Sequence, residues 1–87
     1  MTSDPATELH ERFEATAELP VERTASRLLG EAQAVAADVR DVDDDAVVTK
    51  RAGIVVDLLA EVDGTGDPTA DEHVARAREL ATELSDR

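Results

Sequence analysis

The side chains best able to do chemistry are few. His10 and His73 are the only histidines, and both have carboxylates nearby: Glu14 follows His10 by one helical turn, and Asp71 and Glu72 immediately precede His73. Imidazole and carboxylate together can hold a metal ion or relay a proton. A metal site, however, needs three or four converging ligands, and the chain has no HExxH or comparable spacing. With 21 acids in 87 residues, a carboxylate close to each histidine is expected by chance. Both histidines are therefore expected to be ordinary helical residues, and no metal or other cofactor is predicted.

Other motifs fail on inspection. Asp41, Asp43 and Asp45 imitate the first, third and fifth ligands of a calcium loop, but Ala46 and Ala52 stand where glycine and a bidentate glutamate are required. A solvated acidic turn that caps a helix is the better account. Gly64-Thr-Gly66 lacks the GK[ST] ending of a phosphate loop and follows a helix instead of a strand. Ser3, Ser26 and Ser85 lie in no elbow or triad-like context. No catalytic residue is predicted, and the chain is not expected to be an enzyme. Arg51 stands apart, because at 100° per residue it falls inside the arc of Val47, Val55, Leu58 and Val62. A guanidinium there must be paired or must reach the rim. The expectation is an ion pair with a carboxylate of another helix, such as Glu31; the alternative is an anion contact made with Arg23 or Arg27.

Four amphipathic segments must position these residues. Ser3 or Asp4 is a candidate N-cap, with Pro5 at the first helical position and Glu8 near a capping-box place; Ala6, Leu9, Phe13 and Ala17 form the apolar stripe of a helix over 4–18. Pro20 ends that helix and can begin the next, which spans 20–40 on Val21, Ala25, Leu28, Ala32, Val35 and Val39. A third helix, capped by Asp44 or Asp45, covers 45–62 with a broad apolar side of Val47, Val48, Ile54, Val55, Leu58, Leu59 and Val62. Asp63-Gly-Thr-Gly-Asp-Pro is a loop whose Asp67 and Pro68 cap and start a fourth helix over 68–84. The predicted fold is all-α, a small antiparallel bundle of about four helices forming a single domain over 1–87 with frayed termini. The second and third helices are expected as its central pair. Their outer sides hold small residues, Gly30, Ala34 and Ala37 on one and Gly53 and Ala60 on the other, where another helix could approach closely.

Composition narrows the partners. Phe13 is the only aromatic residue, so base or sugar stacking has almost nothing to work with. A net charge of −12 repels nucleic-acid phosphates and anionic lipid, and no apolar run reaches the roughly 18–20 residues of a membrane span. Met1-Thr-Ser-Asp-Pro lacks the pattern of a signal peptide, which predicts a cytoplasmic protein. Hydrophobic content of 41% with helical periodicity argues against disorder. Adaptation to molar salt explains the acidity best, since carboxylates hold water while their repulsion is screened within about 3 Å at 1 M.

The segments LPVERTASRLLGEAQAVAADV (Leu19–Val39) and TGDPTADEHVARARELATEL (Thr65–Leu84) resemble short acidic proteins of halophilic archaea that form an uncharacterised family. The resemblance covers half to two-thirds of the chain, agrees with salt adaptation, and implies no activity, cofactor or catalytic residue. The leading expectation is a noncatalytic helical interaction or oligomerisation module for high salt. It would meet itself or another protein through Gly30, Ala34, Ala37, Gly53 and Ala60. A second reading binds a small ligand or metal in a bundle crevice through Arg51, His73 and carboxylates. A third, a small transcription regulator, rests only on Arg23, Arg27 and Arg40 and is opposed by the charge.

Overall fold

A computed structural model describes residues 4–86. The helices are α1 (Pro5–Ala17), α2 (Arg23–Asp41), α3 (Asp45–Ala60) and α4 (Pro68–Ser85), and the described residues contain no strand. Three of the four begin on an aspartate that satisfies the otherwise orphaned amides of a first turn. The Asp4 carboxylate accepts from the Thr7 amide, Asp44 from those of Ala46 and Val47, and Asp67 from that of Ala70. Ser3, the other candidate first cap, lies outside the described residues, as do the extreme termini expected to fray.

Helix α2 starts later than its proline predicts. Pro20 ends α1 without beginning α2: the Val21 amide donates to the Leu19 carbonyl and the Glu22 amide to the Thr65 carbonyl. Those bonds hold residues 20–22 outside a helix, and Glu22 caps α2 with no side-chain bond. The capping-box place of Glu8 is not used as such either, because its carboxylate turns toward α4.

The buried stripes converge on one core, with Leu9, Phe13, Val39, Val55, Leu59 and Leu84 almost fully enclosed. Each helix packs on two others. α1 lies against α2 and α4, and α3 against α2 and α4, while the diagonal pairs do not meet. The expected central pair is thus half of a closed ring, because α1 and α4 also pack on each other. Their sense follows from two contacts: Glu8 meets Arg76, whereas Arg12, farther along α1, meets the earlier His73. α1 and α4 therefore run antiparallel. The Cα envelope of 35 × 28 × 17 Å is two helix layers thick in its shortest direction.

Candidate functional site

Polar side chains bridge the ring at three of its seams. At α1/α4, Arg76 grips Glu8 with two parallel bonds, Nε to Oε2 at 2.9 Å and Nη2 to Oε1 at 3.1 Å. Such a fork binds more strongly than a single contact. Arg12, one turn after Glu8, donates to the same Oε2 at 3.2 Å and to His73 Nδ1 at 3.1 Å. To accept that bond Nδ1 must carry its lone pair, which places the ring proton of a neutral imidazole on Nε2. The Arg76 hydrogen bonds, aided by Arg12 and opposed in part by desolvation, hold the Glu8 carboxyl below its ordinary range. The Arg76 guanidinium is correspondingly shifted upward, first by Glu8 and then by Glu79.

The second seam, α1/α2, centres on His10. Its Nδ1 lies 2.9 Å from Glu14 Oε1 and 3.2 Å from Arg40 Nη1. One nitrogen cannot serve both: protonated it donates to Glu14, unprotonated it accepts from Arg40. At the third seam, α3/α4, Arg78 Nη2 donates to the carbonyls of Leu59 and Val62 at 2.8 and 2.9 Å, closing the C-terminal end of α3 with a cation as the helix dipole favours.

The loop between α3 and α4 holds a fourth polar cluster. Gly64 and Gly66 have φ of 94° and 83°, a region open to glycine at little cost. Between them Thr65 turns fully inward. Its amide and hydroxyl both lie within 2.9 Å of Asp71 Oδ1, and the hydroxyl alternatively donates to the Asp67 carbonyl at 2.9 Å. These bonds, the side-chain one first, lower the Asp71 carboxyl. Because the Thr65 carbonyl also receives the Glu22 amide at 2.7 Å, one threonine ties the start of α2 to the start of α4.

An open cleft of about 370 Å³ is lined by Glu8, Glu11, Arg12 and His73. Its chemistry is limited, since the lining offers no hydroxyl nucleophile and its cation is already bonded to Glu8. Among the described residues no group of three or more histidines and carboxylates is spaced to hold a metal ion, and no buried side-chain nitrogen or oxygen lacks a partner. Arg51 and His73 do not come together. His73 bonds Arg12 across the α1/α4 seam, whereas Arg51, on α3, makes no side-chain hydrogen bond or ion pair among the described residues. Nor does Arg51 form the expected ion pair: it is exposed, and Glu31 pairs instead with Arg27 one turn earlier on α2, at 3.3 Å. Its place at the margin of the apolar arc lets the long stem carry its charge into water.

The small residues are on the outside, in separate places. Gly30, Ala34 and Ala60 are exposed, and Ala37 and Gly53 half-buried. Gly30 borders a groove of about 140 Å³ between α1 and α2, whose floor includes Phe13 and Leu29. Ala60 borders a different cleft, beside Val74 and Arg78 of α4. A Cβ built on Gly30 or Gly53 would meet nothing within 4 Å, so neither glycine is needed by the chain's own packing.

The sequence profile of DUF8152, a domain of unknown function, matches residues 5–87. The chain belongs to this family. No curated protein and no solved structure matches it. This DUF8152 chain is thus an all-α bundle of four helices, and no helix among its described residues is long and apolar enough to cross a membrane. Sequence reasoning missed Glu8, Arg12, Arg76, Arg78 and Thr65 as the residues that fasten it. The usable signal was local for one pair only, Glu8 and Arg12 standing one turn apart.

Proposed function

We propose that this DUF8152 chain is a noncatalytic helical interaction module that works in concentrated salt inside the cell, meeting another copy of itself or a second protein. The observation that carries the reading is the pair of outward glycines. A glycine inside a helix costs about 0.5–1 kcal/mol relative to alanine, and Gly30 and Gly53 face open space where alanine would fit. Folding of the single chain supplies no reason for them; close approach of another backbone does. The acidity supports the solvent half of the reading, because most carboxylates have no cationic partner among the described residues and are free to bind water. An origin in a salt-accumulating archaeon accords with that surface. A ligand-binding reading is weaker, because Glu8 already occupies the guanidiniums beside His73.

The test is crosslinking and light scattering in molar KCl, with Gly30→Leu and Gly53→Leu as controls. Leucine is a good helix former and its Cβ meets nothing within 4 Å at either place, so the fold is expected to survive, which circular dichroism checks, while a close contact is blocked. A stoichiometric complex lost in at least one variant supports the reading. A chain that stays monomeric and crosslinks to nothing, or a complex indifferent to both substitutions, refutes it.

A further inference from the structure

The side of α2 turned away from the core carries charge sorted along its length. At 100° per residue, Arg23, Arg27, Gly30, Ala34, Asp38 and Asp41 fall within about 40° of the line opposite the buried Ala25, Ala32 and Ala36, and all six are exposed. They recur at three- and four-residue steps, the spacing of a helix–helix seam. Cations stand at the start, small residues in the middle and acids at the end. That order opposes the helix dipole, which favours acids at the N-terminal end and bases at the C-terminal end. The other three helices have an acid in the first turn; α2 has none, and no side-chain cap. The arrangement therefore costs the isolated helix something, and within the single chain it gains only the exposed pairs of Arg27 with Glu31 and of Asp41 with Arg40.

We infer that this face joins two copies of the chain, α2 lying antiparallel on α2 of the second copy about a two-fold axis at the level of Ala32. This rests on the interaction reading above and names its partner. Turning α2 end over end at that level sets Gly30 against Ala34 of the second copy, Arg23 against its Asp41, and Arg27 beside its Asp38. The last pair is off level by one residue, about 1.5 Å. Symmetry makes each contact twice, so four arginine–aspartate pairs flank a centre of glycine and alanine that lets the backbones approach. Arg23 and Asp38 have no ion-pair partner among the described residues. The pairs of Arg27 with Glu31 and of Arg40 with Asp41 are exposed and exchangeable. Salt favours the assembly. Two bodies of net charge −12 repel across a screening length of about 10 Å at 0.1 M, and this shrinks to about 3 Å at 1 M, where pairs in direct contact are least affected.

Sedimentation velocity on the full chain in molar KCl tests this, with Arg23→Glu/Arg27→Glu and Asp38→Arg/Asp41→Arg variants. Both reversals suit the helix dipole, so neither is expected to unfold the monomer, and circular dichroism checks this. The wild type is expected as a dimer that weakens at low salt. Each variant alone should dissociate at least about tenfold more readily, and an equimolar mixture should recover the dimer, an acidic row meeting a basic one. A wild type that stays monomeric overturns the inference, and crosslinking to another protein then decides the broader reading separately. A dimer that both variants retain uses another surface, which overturns the inference and leaves the module reading standing. Failure of the folded variants to recover in mixture overturns the antiparallel pairing.

Discussion

Substituting alanine for Gly30 separates what the single chain needs from what an assembly needs. The glycine lies inside α2, where the added methyl meets no atom within 4 Å. With no clash to offset it, the gain is the helix-propensity difference and the reduced freedom of the unfolded chain, together about 0.5–1 kcal/mol. For a domain of this size 1 kcal/mol moves the melting temperature by about 4–8 °C, so Gly30→Ala should melt about 2–8 °C higher. Gly53→Ala on α3 should behave alike, and the double variant should add the two increments, since the glycines sit on different helices with no shared neighbour. Thermal unfolding followed by circular dichroism measures this, at concentrations dilute enough to keep the chain monomeric. A lower melting temperature for Gly30→Ala under those conditions would refute the reasoning. It would mean that the methyl collides with the chain's own atoms and that the glycine serves the fold.

Three further outcomes follow from the core, the loop and the seam. Phe13 is 1% exposed, so Phe13→Ala should cost about 3–5 kcal/mol against a typical total of about 5–15, and urea unfolding should show a much lower midpoint. Thr65→Val keeps the shape but removes the hydroxyl that serves Asp71 and Asp67; a loss of about 1–3 kcal/mol is expected, with Thr65→Ser retaining most of the stability. Glu8 has its folded pKa depressed below the ordinary 4.5, chiefly by Arg76, and Asp71 below 3.8, chiefly by Thr65. A depressed carboxyl lends stability that is complete above its unfolded pKa and is lost as pH falls through the folded one. Acid titration from about pH 5 downward should therefore destabilise the wild type more steeply than Glu8→Gln, and identical slopes would show that Arg76 contributes nothing through Glu8.

The legible part of this fold was the part written in nearest neighbours. Asp44, Asp67, Pro5 and Pro68 marked helix starts because a cap acts within three residues, and the stripes marked each buried face because helical periodicity is local. Which faces meet was not written there: the same stripes suit a central pair with two flanking helices or a closed ring. Glu8 illustrates the limit, since its position in the first turn suggested a cap while its actual partner, Arg76, lies 68 residues away. Arg51 failed for another reason. An angular projection places the Cα on the arc of Val55 and Leu58, but a stem of several methylenes lets the charge leave it. Thr65 was hidden because a threonine between two glycines reads as loop, and only the positive φ values on both sides turn it inward.

The cations of this chain are spent in a particular order, and that order governs how it behaves in salt. Arg12, Arg40, Arg76 and Arg78 bond across the seams of the ring. Arginine suits this task, because a planar fork holds a carboxylate or two carbonyls at once, and it keeps its charge at any working pH. With these four turned to internal bonds, most of the charge left on the outer surface is carboxylate. Arg23, Arg27, Lys50 and Arg51 are the exposed exceptions among the described residues that lie outside the seams. Two of the four lie on α2, at one end of its small-residue face. At low salt, repulsion among the outward carboxylates opposes both compaction and any meeting of two copies. At high salt it is screened, while the Arg76 fork on a Glu8 that is 23% exposed keeps its contact geometry. One charge distribution thus ties folding, and the association proposed above, to the same variable, and both should strengthen as salt rises toward molar concentrations.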